Sequence, residues 1–131
     1  MGPRRSGETP TEAELEILRV LWSRGPSTVR DVHEALAPTR GTGYTTILKL
    51  MQIMARKGLL DRDESARTHV YSAARSQEET QGSMVGQLLD KAFSGSAARL
   101  VERALDVSQT SPEELDEIRR LLDRIDEERS R

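Results

Sequence analysis

The chain of 131 residues contains no cysteine, one tryptophan, one phenylalanine and two tyrosines. The lack of cysteine excludes disulfides, thiolate nucleophiles and metal sites built on thiolates. No apolar run approaches the roughly 20 residues needed to cross a bilayer, and nothing resembles a secretory signal. We expect a cytoplasmic protein without membrane insertion, formed by one ordinary domain or by one small domain with a short second module.

Neither sign of charge is in clear excess over the whole chain, but the charges are unevenly distributed. Twenty Lys and Arg residues against 22 Asp and Glu residues leave a net charge of −2. Residues 1–75 hold 12 basic and 9 acidic side chains, whereas residues 76–131 hold 8 and 13. The positive charge is concentrated in residues 40–75, which predicts contact with an anionic partner there.

The sequence also has little of what catalysis requires. It has two histidines, no glycine-rich phosphate loop and no H-E-x-x-H pattern. His33 stands between Asp31 and Glu34 on a predicted short helix, where a lone surface histidine is rarely a catalyst or a metal ligand. We expect no enzyme activity, no metal site and no cofactor.

Helix-capping residues and apolar periodicity predict how the structured part begins. Residues 1–8 are rich in Gly, Pro and Arg and predict a disordered arm. The first helix is expected to have Thr9 as N-cap, Pro10 at the first helical position and Glu12 at the third. Its apolar positions follow helical spacing, so it is predicted to be amphipathic.

Two further helices and a hairpin are predicted after the first helix. Ser27 is expected to cap the second helix and Pro38 to stop it. The third helix spans Tyr44 to Lys57. Strands over residues 59–63 and 68–72 flank a polar tip and predict a small β-hairpin.

The predicted third helix carries a continuous polar stripe. At roughly 100° per residue, Thr45, Lys49, Gln52 and Arg56 lie on one side of it, and its apolar residues lie on the opposite side. Hydroxyl, amine, amide and guanidinium groups are those that bind phosphates and base edges in the DNA major groove. A solvated helix face is the alternative explanation of such a stripe.

The order of elements favours DNA binding over a merely solvated face. Three helices followed by a hairpin form the winged helix-turn-helix arrangement, in which the third helix enters the groove and the wing contacts the flanking backbone. The hairpin carries Arg62, Arg67 and His69, which are expected to contact phosphates.

The segment Thr11 to Tyr71, including TEAELEILRVLW, GYTTILKLMQIMARKGLL and THVYSA, resembles the BlaI/MecI/CopY family of bacterial penicillinase-type repressors. The resemblance extends more loosely over nearly the whole chain after residue 9. It implies a winged-helix domain that binds palindromic operators and a helical domain that forms a homodimer. It also implies, for many members, inactivation by proteolysis linked to a membrane metalloprotease sensor.

Three features depart from this family's pattern. Ile53 stands where many members have Arg at the edge of the DNA-facing stripe, which implies a different operator. The absence of cysteine removes copper sensing through a C-terminal cysteine cluster. The pair Arg103-Ala104 stands where proteolysed members have the cleaved Asn-Phe bond.

These considerations define the predicted DNA-binding residues of a winged-helix domain over residues 9–75. The partner is expected to be double-stranded operator DNA. The set combines the turn before the third helix, that helix and the wing: Arg40, Tyr44, Thr45, Thr46, Lys49, Gln52, Arg56, Arg62, Arg67 and His69.

Residues 76–131 are predicted to form three helices that make a homodimer. Their apolar stripes contain more surface than three short helices of one chain can bury, so they require a partner surface. A compact three-helix cap within one chain is the alternative. The predicted interface comprises Met84, Val85, Leu88, Leu89, Leu100, Val101, Leu105, Leu115, Ile118 and Leu122.

The fold class is thus mainly α, a winged helix-turn-helix followed by a helical dimerisation domain. The predicted function is homodimeric, DNA-binding transcriptional repression. The main alternative is a winged-helix protein-interaction module without DNA binding, since a fold does not determine a function.

Overall fold

The computed structural model describes residues 9–131, so the predicted disordered arm over residues 1–8 lies outside the described residues. Six helices and one hairpin follow in chain order: α1 (Glu12–Arg24), α2 (Val29–Arg40), α3 (Tyr44–Lys57), β1 (Leu60–Asp63), β2 (Val70–Ala73), α4 (Gln77–Ala92), α5 (Ala97–Val107) and α6 (Pro112–Arg129). None of these helices is long and apolar enough to cross a membrane. The chain divides into two compact units, one ending at Gln87 and the other spanning Leu88–Arg131.

The first unit has the predicted winged helix-turn-helix architecture. Helices α1, α2 and α3 pack together, and β1 pairs with β2 in an antiparallel register from Leu60 opposite Ala73 to Asp63 opposite Val70. The strands thus begin one and two residues later than predicted. A single apolar core joins these elements: Ile17, Leu18, Leu21, Val29, Val32, Leu36, Ile47, Met51, Met54, Leu60 and Tyr71.

The predicted start of the first helix is wrong by two residues. Thr11, not Thr9, is the N-cap of α1, and it forms a capping box with Glu14. Both Thr9 with Glu12 and Thr11 with Glu14 have the threonine-to-glutamate spacing of a capping box. The tertiary structure selects the second, because the buried Glu14 carboxylate also accepts two hydrogen bonds from Lys57 Nζ, at 2.8 and 3.0 Å.

The predicted cap of α2 is also wrong. Thr28, not Ser27, caps the helix by a reciprocal bond with Asp31. Ser27 is buried, and its backbone forms a bridge with Tyr71 through hydrogen bonds of 2.9 and 2.8 Å. The turn between α1 and α2 is therefore tied to the wing, and this long-range pairing assigns the cap to the next residue.

The prediction that Pro38 stops the second helix is wrong. The helix continues through Pro38 to Arg40 and ends where Gly41 adopts a left-handed conformation with φ of 69°. Pro38 is exposed, so water can satisfy the carbonyl whose backbone partner the proline ring removes.

The third helix has the predicted bounds, Tyr44–Lys57. Gly58 ends it with φ of 86°, a left-handed conformation that favours glycine. Ile47, Met51 and Met54 are completely buried and anchor its inner face in the core. This anchoring leaves the polar stripe of α3 on its outer face.

The second unit contains the end of α4 together with α5 and α6. Ser96 caps α5, and Ser111 caps α6 with Pro112 at its first position. From Leu88 to Arg131, all of which the structure describes, no residue is buried. The predicted domain division after Arg75 precedes α4, whose residues fall in both units.

Candidate nucleic-acid interface

The polar stripe of α3 lies on its accessible side. Thr45, Lys49 and Arg56 are exposed, and Gln52 is half-buried. Lys49 and Arg56 make no ion pair with any residue that the structure describes. Both cations are therefore available to an external anion.

A cleft, which we call the basic cleft, lies between the start of α2, the exposed side of α3 and the wing. Two arginines and one histidine line it, and its lining residues include no carboxylate. Its lining combines these cations with aromatic, hydroxyl and amide groups: Thr28, Val29, Arg30, Tyr44, Leu48, Gln52, Arg67, Thr68, His69 and Tyr71. Such a lining attracts a phosphate backbone.

A second cleft, the β1 cleft, lies on the side of α3 that faces the first wing strand. Gln52 lines both clefts and separates them. Arg56 and Arg62 face the carboxylates Asp61 and Glu64 there, so the β1 cleft is balanced in charge. Residues 9–131 contain no group of three His, Asp or Glu side chains that could hold a metal ion.

Arg62 is held within the wing by two partners. It lies opposite Tyr71 in the β1–β2 register, so both side chains project from the same face of the hairpin. Its guanidinium donates to the Tyr71 hydroxyl and pairs with Glu64, and these two interactions raise the pKa of Arg62. Tyr71 itself is only 1% exposed, so the hydroxyl that Arg62 reaches is anchored by the core.

The structure separates the predicted cations into free and paired groups. Arg67 makes no ion pair with the described residues, like Lys49 and Arg56. Arg40 instead pairs with Glu16 of α1 at 2.9 Å and lines neither cleft. Arg56 therefore lies in the β1 cleft and Arg67 in the basic cleft, Lys49 is exposed but lines neither cleft, and Arg40 is paired with Glu16.

The first turn of α3 presents two predicted residues in different surroundings. Tyr44 is 46% exposed and lines the basic cleft. Its ring meets the edge of His33 from α2, with centroids 6.0 Å apart and an interplanar angle of 83°. Thr46 is exposed but lines neither cleft. His33 therefore supports the ring of Tyr44 from behind the cleft.

Sequence reasoning missed two charged residues of this surface. Arg30 is exposed on the first turn of α2 and lines the basic cleft without an ion-pair partner among the described residues. Glu64 neutralises Arg62 in the β1 cleft. The sequence placed Arg30 near the start of a helix, but no local pattern showed that this position lines the same cleft as the wing. The sequence contained no signal for Glu64.

None of the predicted dimer residues is fully buried. Val85, Leu88, Val101 and Leu122 are between 45% and 56% exposed. The remaining six are half-buried: Met84, Leu89, Leu100, Leu105, Leu115 and Ile118. On α6, the spacing of Leu115, Ile118, Leu122 and Ile125 follows the alternating three- and four-residue steps of a coiled-coil seam.

Comparison with known proteins yields consistent similarities. A family model described as penicillinase repressor matches residues 10–124. The transcriptional regulator BlaI of Mycobacterium tuberculosis (strain CDC 1551 / Oshkosh) is 37% identical over 114 residues, which cover 85% of this chain and 80% of that protein. The penicillinase repressor of Bacillus licheniformis is 24% identical over 113 residues, which cover 86% and 88%.

A solved structure shares the fold of the first unit. The solution structure of the DNA binding domain of the repressor BlaI superimposes with a TM-score of 0.50 at 22% identity. The match covers 58% of this chain and 92% of that domain. At this identity the likeness shows the winged-helix fold alone.

Proposed function

This chain belongs to the penicillinase repressor family of transcriptional repressors, and from that premise we propose that it acts as a homodimer on a palindromic operator. In this proposal α3 enters the major groove and the wing contacts the flanking backbone. The observation that carries it is the accessible side of α3, where unpaired cations and the carboxylate-free basic cleft lie together.

The residues of α3 divide into two kinds of contact. Lys49 and Arg56 are long, exposed cations that suit phosphates or guanine, and Gln52 suits adenine. Thr45 offers a hydroxyl and a methyl group to thymine. Because Gln52 lies between the two clefts, a base contacted by it would be flanked by backbone contacts from both sides of α3.

The basic cleft supplies the backbone contacts in this proposal. Arg30, Arg67 and His69 come from two separate elements and line one concave surface. Phosphate contacts of this kind give affinity and orientation without sequence information. Sequence discrimination is therefore assigned to α3.

A second copy of the chain is proposed to cover the apolar residues of α4, α5 and α6. Leu122 is 56% exposed and Val101 is 45% exposed, although their spacing is that of buried helix faces. Two copies related by a twofold axis present two α3 helices to two half-sites. The net charge of −5 over residues 76–131 repels DNA from this part of the dimer.

The proposal includes no catalytic role and places the protein in the cytoplasm with the DNA. The family resemblance adds a membrane metalloprotease sensor, or a protease that acts after it, as a partner in derepression. Arg103 and Ala104, at the place of the cleaved bond in proteolysed members, are exposed on α5, and Arg103 pairs with Asp106 at 2.9 Å.

Titration of the full chain onto a fluorescently labelled duplex from the promoter of its own gene tests the proposal. We expect binding that is tight, specific and steeply weakened by salt. Lys49→Ala and Arg56→Ala should each weaken it by about five- to tenfold or more and reduce the salt slope by about one. Arg19→Ala, an exposed arginine on α1 that lines neither cleft, is the matched control.

Two results would overturn the repressor function. One is equal affinity for a scrambled duplex of the same length at both salt concentrations. The other is no binding to any duplex, which would favour a winged-helix protein-interaction module. Equal losses in Arg19→Ala and Lys49→Ala would show that α3 is not the contacting element.

A further inference from the structure

The two clefts beside Gln52 differ in charge, and the proposed function does not require this difference. The basic cleft contains Arg30, Arg67 and His69 with no carboxylate among its described lining residues. In the β1 cleft, Glu64 holds the guanidinium of Arg62. One of the wing's two arginines is therefore already occupied by an anion of the protein itself.

The arrangement orients Arg62 before any ligand arrives. Arg62 lies opposite Tyr71 in the β1–β2 register, Tyr71 is buried in the core, and its hydroxyl together with Glu64 raises the pKa of Arg62. The ion pair itself lies at the surface, with 36% of the Arg62 side chain and 53% of the Glu64 side chain exposed. An exposed pair of this kind is weak, so an incoming phosphate oxygen can replace the carboxylate while Tyr71 keeps the guanidinium in position.

We propose that Glu64 is a built-in competitor of DNA phosphate at Arg62 and thereby sets the general affinity of the wing for DNA. The inference rests on the proposed DNA binding. When DNA binds, the guanidinium exchanges the Glu64 carboxylate for a phosphate oxygen, and the released carboxylate remains close to the negatively charged backbone. Glu64 weakens binding to operator and unrelated DNA by the same factor, because it competes for a phosphate and touches no base.

Asp61 provides the matched control for this competition. It lies next to Arg62 on β1, carries the same charge, is exposed and lines the same cleft. It makes no ion pair with the described residues. Asp61→Asn therefore removes one wing charge without releasing Arg62.

The experiment measures the affinity of the full chain for its promoter duplex and for a scrambled duplex over a series of salt concentrations. Glu64→Gln should tighten binding to both by about two- to fivefold at low salt, the range of a single surface ion pair. The slope of log Kd against log salt should steepen by up to about one as Arg62 becomes fully available. Asp61→Asn should give a clearly smaller change.

The variant Arg62→Gln separates competition from plain repulsion. In its background, Glu64→Gln should produce only a change of the size seen for Asp61→Asn. Equal effects of Glu64→Gln and Asp61→Asn, or the same tightening with and without Arg62, would overturn the proposal. Should Arg62→Gln fail to fold, the comparison of Glu64→Gln with Asp61→Asn still tests whether Glu64 competes for Arg62. Failure of the unmodified chain to bind either duplex would instead refute the proposed function.

Discussion

The winged-helix unit has a buried apolar core, whereas from Leu88 onward no apolar side chain is buried. Met51, Ile47 and Met54 of α3 have no exposed surface, whereas Leu122 of α6 is 56% exposed and Val107, the last residue of α5, is 84% exposed. Helices of both units have good caps and amphipathic spacing, so the difference does not arise from local helix formation. The winged helix completes its core within one chain, and the later helices leave theirs open.

This difference indicates that the two units are stabilised in different ways. A core closed within one chain gives a free energy of unfolding that does not depend on protein concentration. Apolar faces closed by a second copy contribute only as far as the dimer is populated, so their contribution depends on concentration. The three predictions below test this contrast, beginning with the largest expected effect.

Met51→Ala should give the largest loss of stability. Met51 is completely buried among α1, α2 and α3 side chains, and such a truncation costs about 2–5 kcal/mol of the free energy of unfolding. Urea unfolding followed by the fluorescence of Trp22, the single tryptophan, reports this unit. Thr45→Ala, on the exposed side of the same helix, should cost less than about 0.5 kcal/mol. A similar loss in both variants would show that α3 is not anchored as described.

Leu122→Ala should act on assembly. Each dimer loses two buried side chains, so about 3 kcal/mol of apolar burial corresponds to a rise in dimer Kd of about a hundredfold. Sedimentation equilibrium measures this Kd, and the urea midpoint read by Trp22 in the dissociated protein should stay unchanged. Asp123→Ala, beside it on the exposed face, is the control. A monomeric unmodified chain would support the compact cap within one chain and contradict the dimer.

Acid should remove a small contribution of Asp31 to the stability of the winged-helix unit. Hydrogen bonds from the backbone N–H and the hydroxyl of Thr28 lower the pKa of Asp31. A lowered pKa in the folded state stabilises the fold above the unfolded value of about 3.9, and this contribution disappears as the pH falls through the lowered folded pKa. The thermal midpoint of Asp31→Asn should therefore approach that of the unmodified chain between about pH 4 and pH 2.

Glu34→Gln is the control for this pH dependence. Glu34 lies on the same helix, is exposed and makes no hydrogen bond with the residues that the structure describes. It should keep the pH dependence of the unmodified chain. A constant difference between Asp31→Asn and the unmodified chain at every pH would contradict the capping role of the Asp31 carboxylate.

Features that depend on neighbouring residues could be predicted from the sequence. The bounds of α3, its polar stripe and its inner apolar face followed from periodicity and from Gly58 after its last turn. The hydroxyls of Ser76, Ser96 and Ser111 each accept from the backbone N–H three residues later, as the local rules for a first helical turn describe. These features require only contacts within about four residues of the chain.

Features that depend on distant contacts were missed. Thr11 rather than Thr9 caps α1 because Glu14 pairs with Lys57, 43 positions away. Ser27 does not cap α2 because its backbone pairs with Tyr71. The ion pair of Arg40 with Glu16 of α1 was likewise not visible in the sequence. In each case a local pattern allowed more than one outcome, and a partner from another element selected one.

The sequence by itself determined the helices, the wing, the family and the candidate residues of α3, because periodicity, capping and turn chemistry act over a few neighbouring positions. Only the tertiary structure decided which cations are free and which are engaged. Arg30 and Arg67 meet in a cleft without carboxylates, while Arg62 is held by Glu64 and Tyr71. The physical reason is that the availability of a charge depends on the distance to its counterion, which the fold sets by bringing separate elements together.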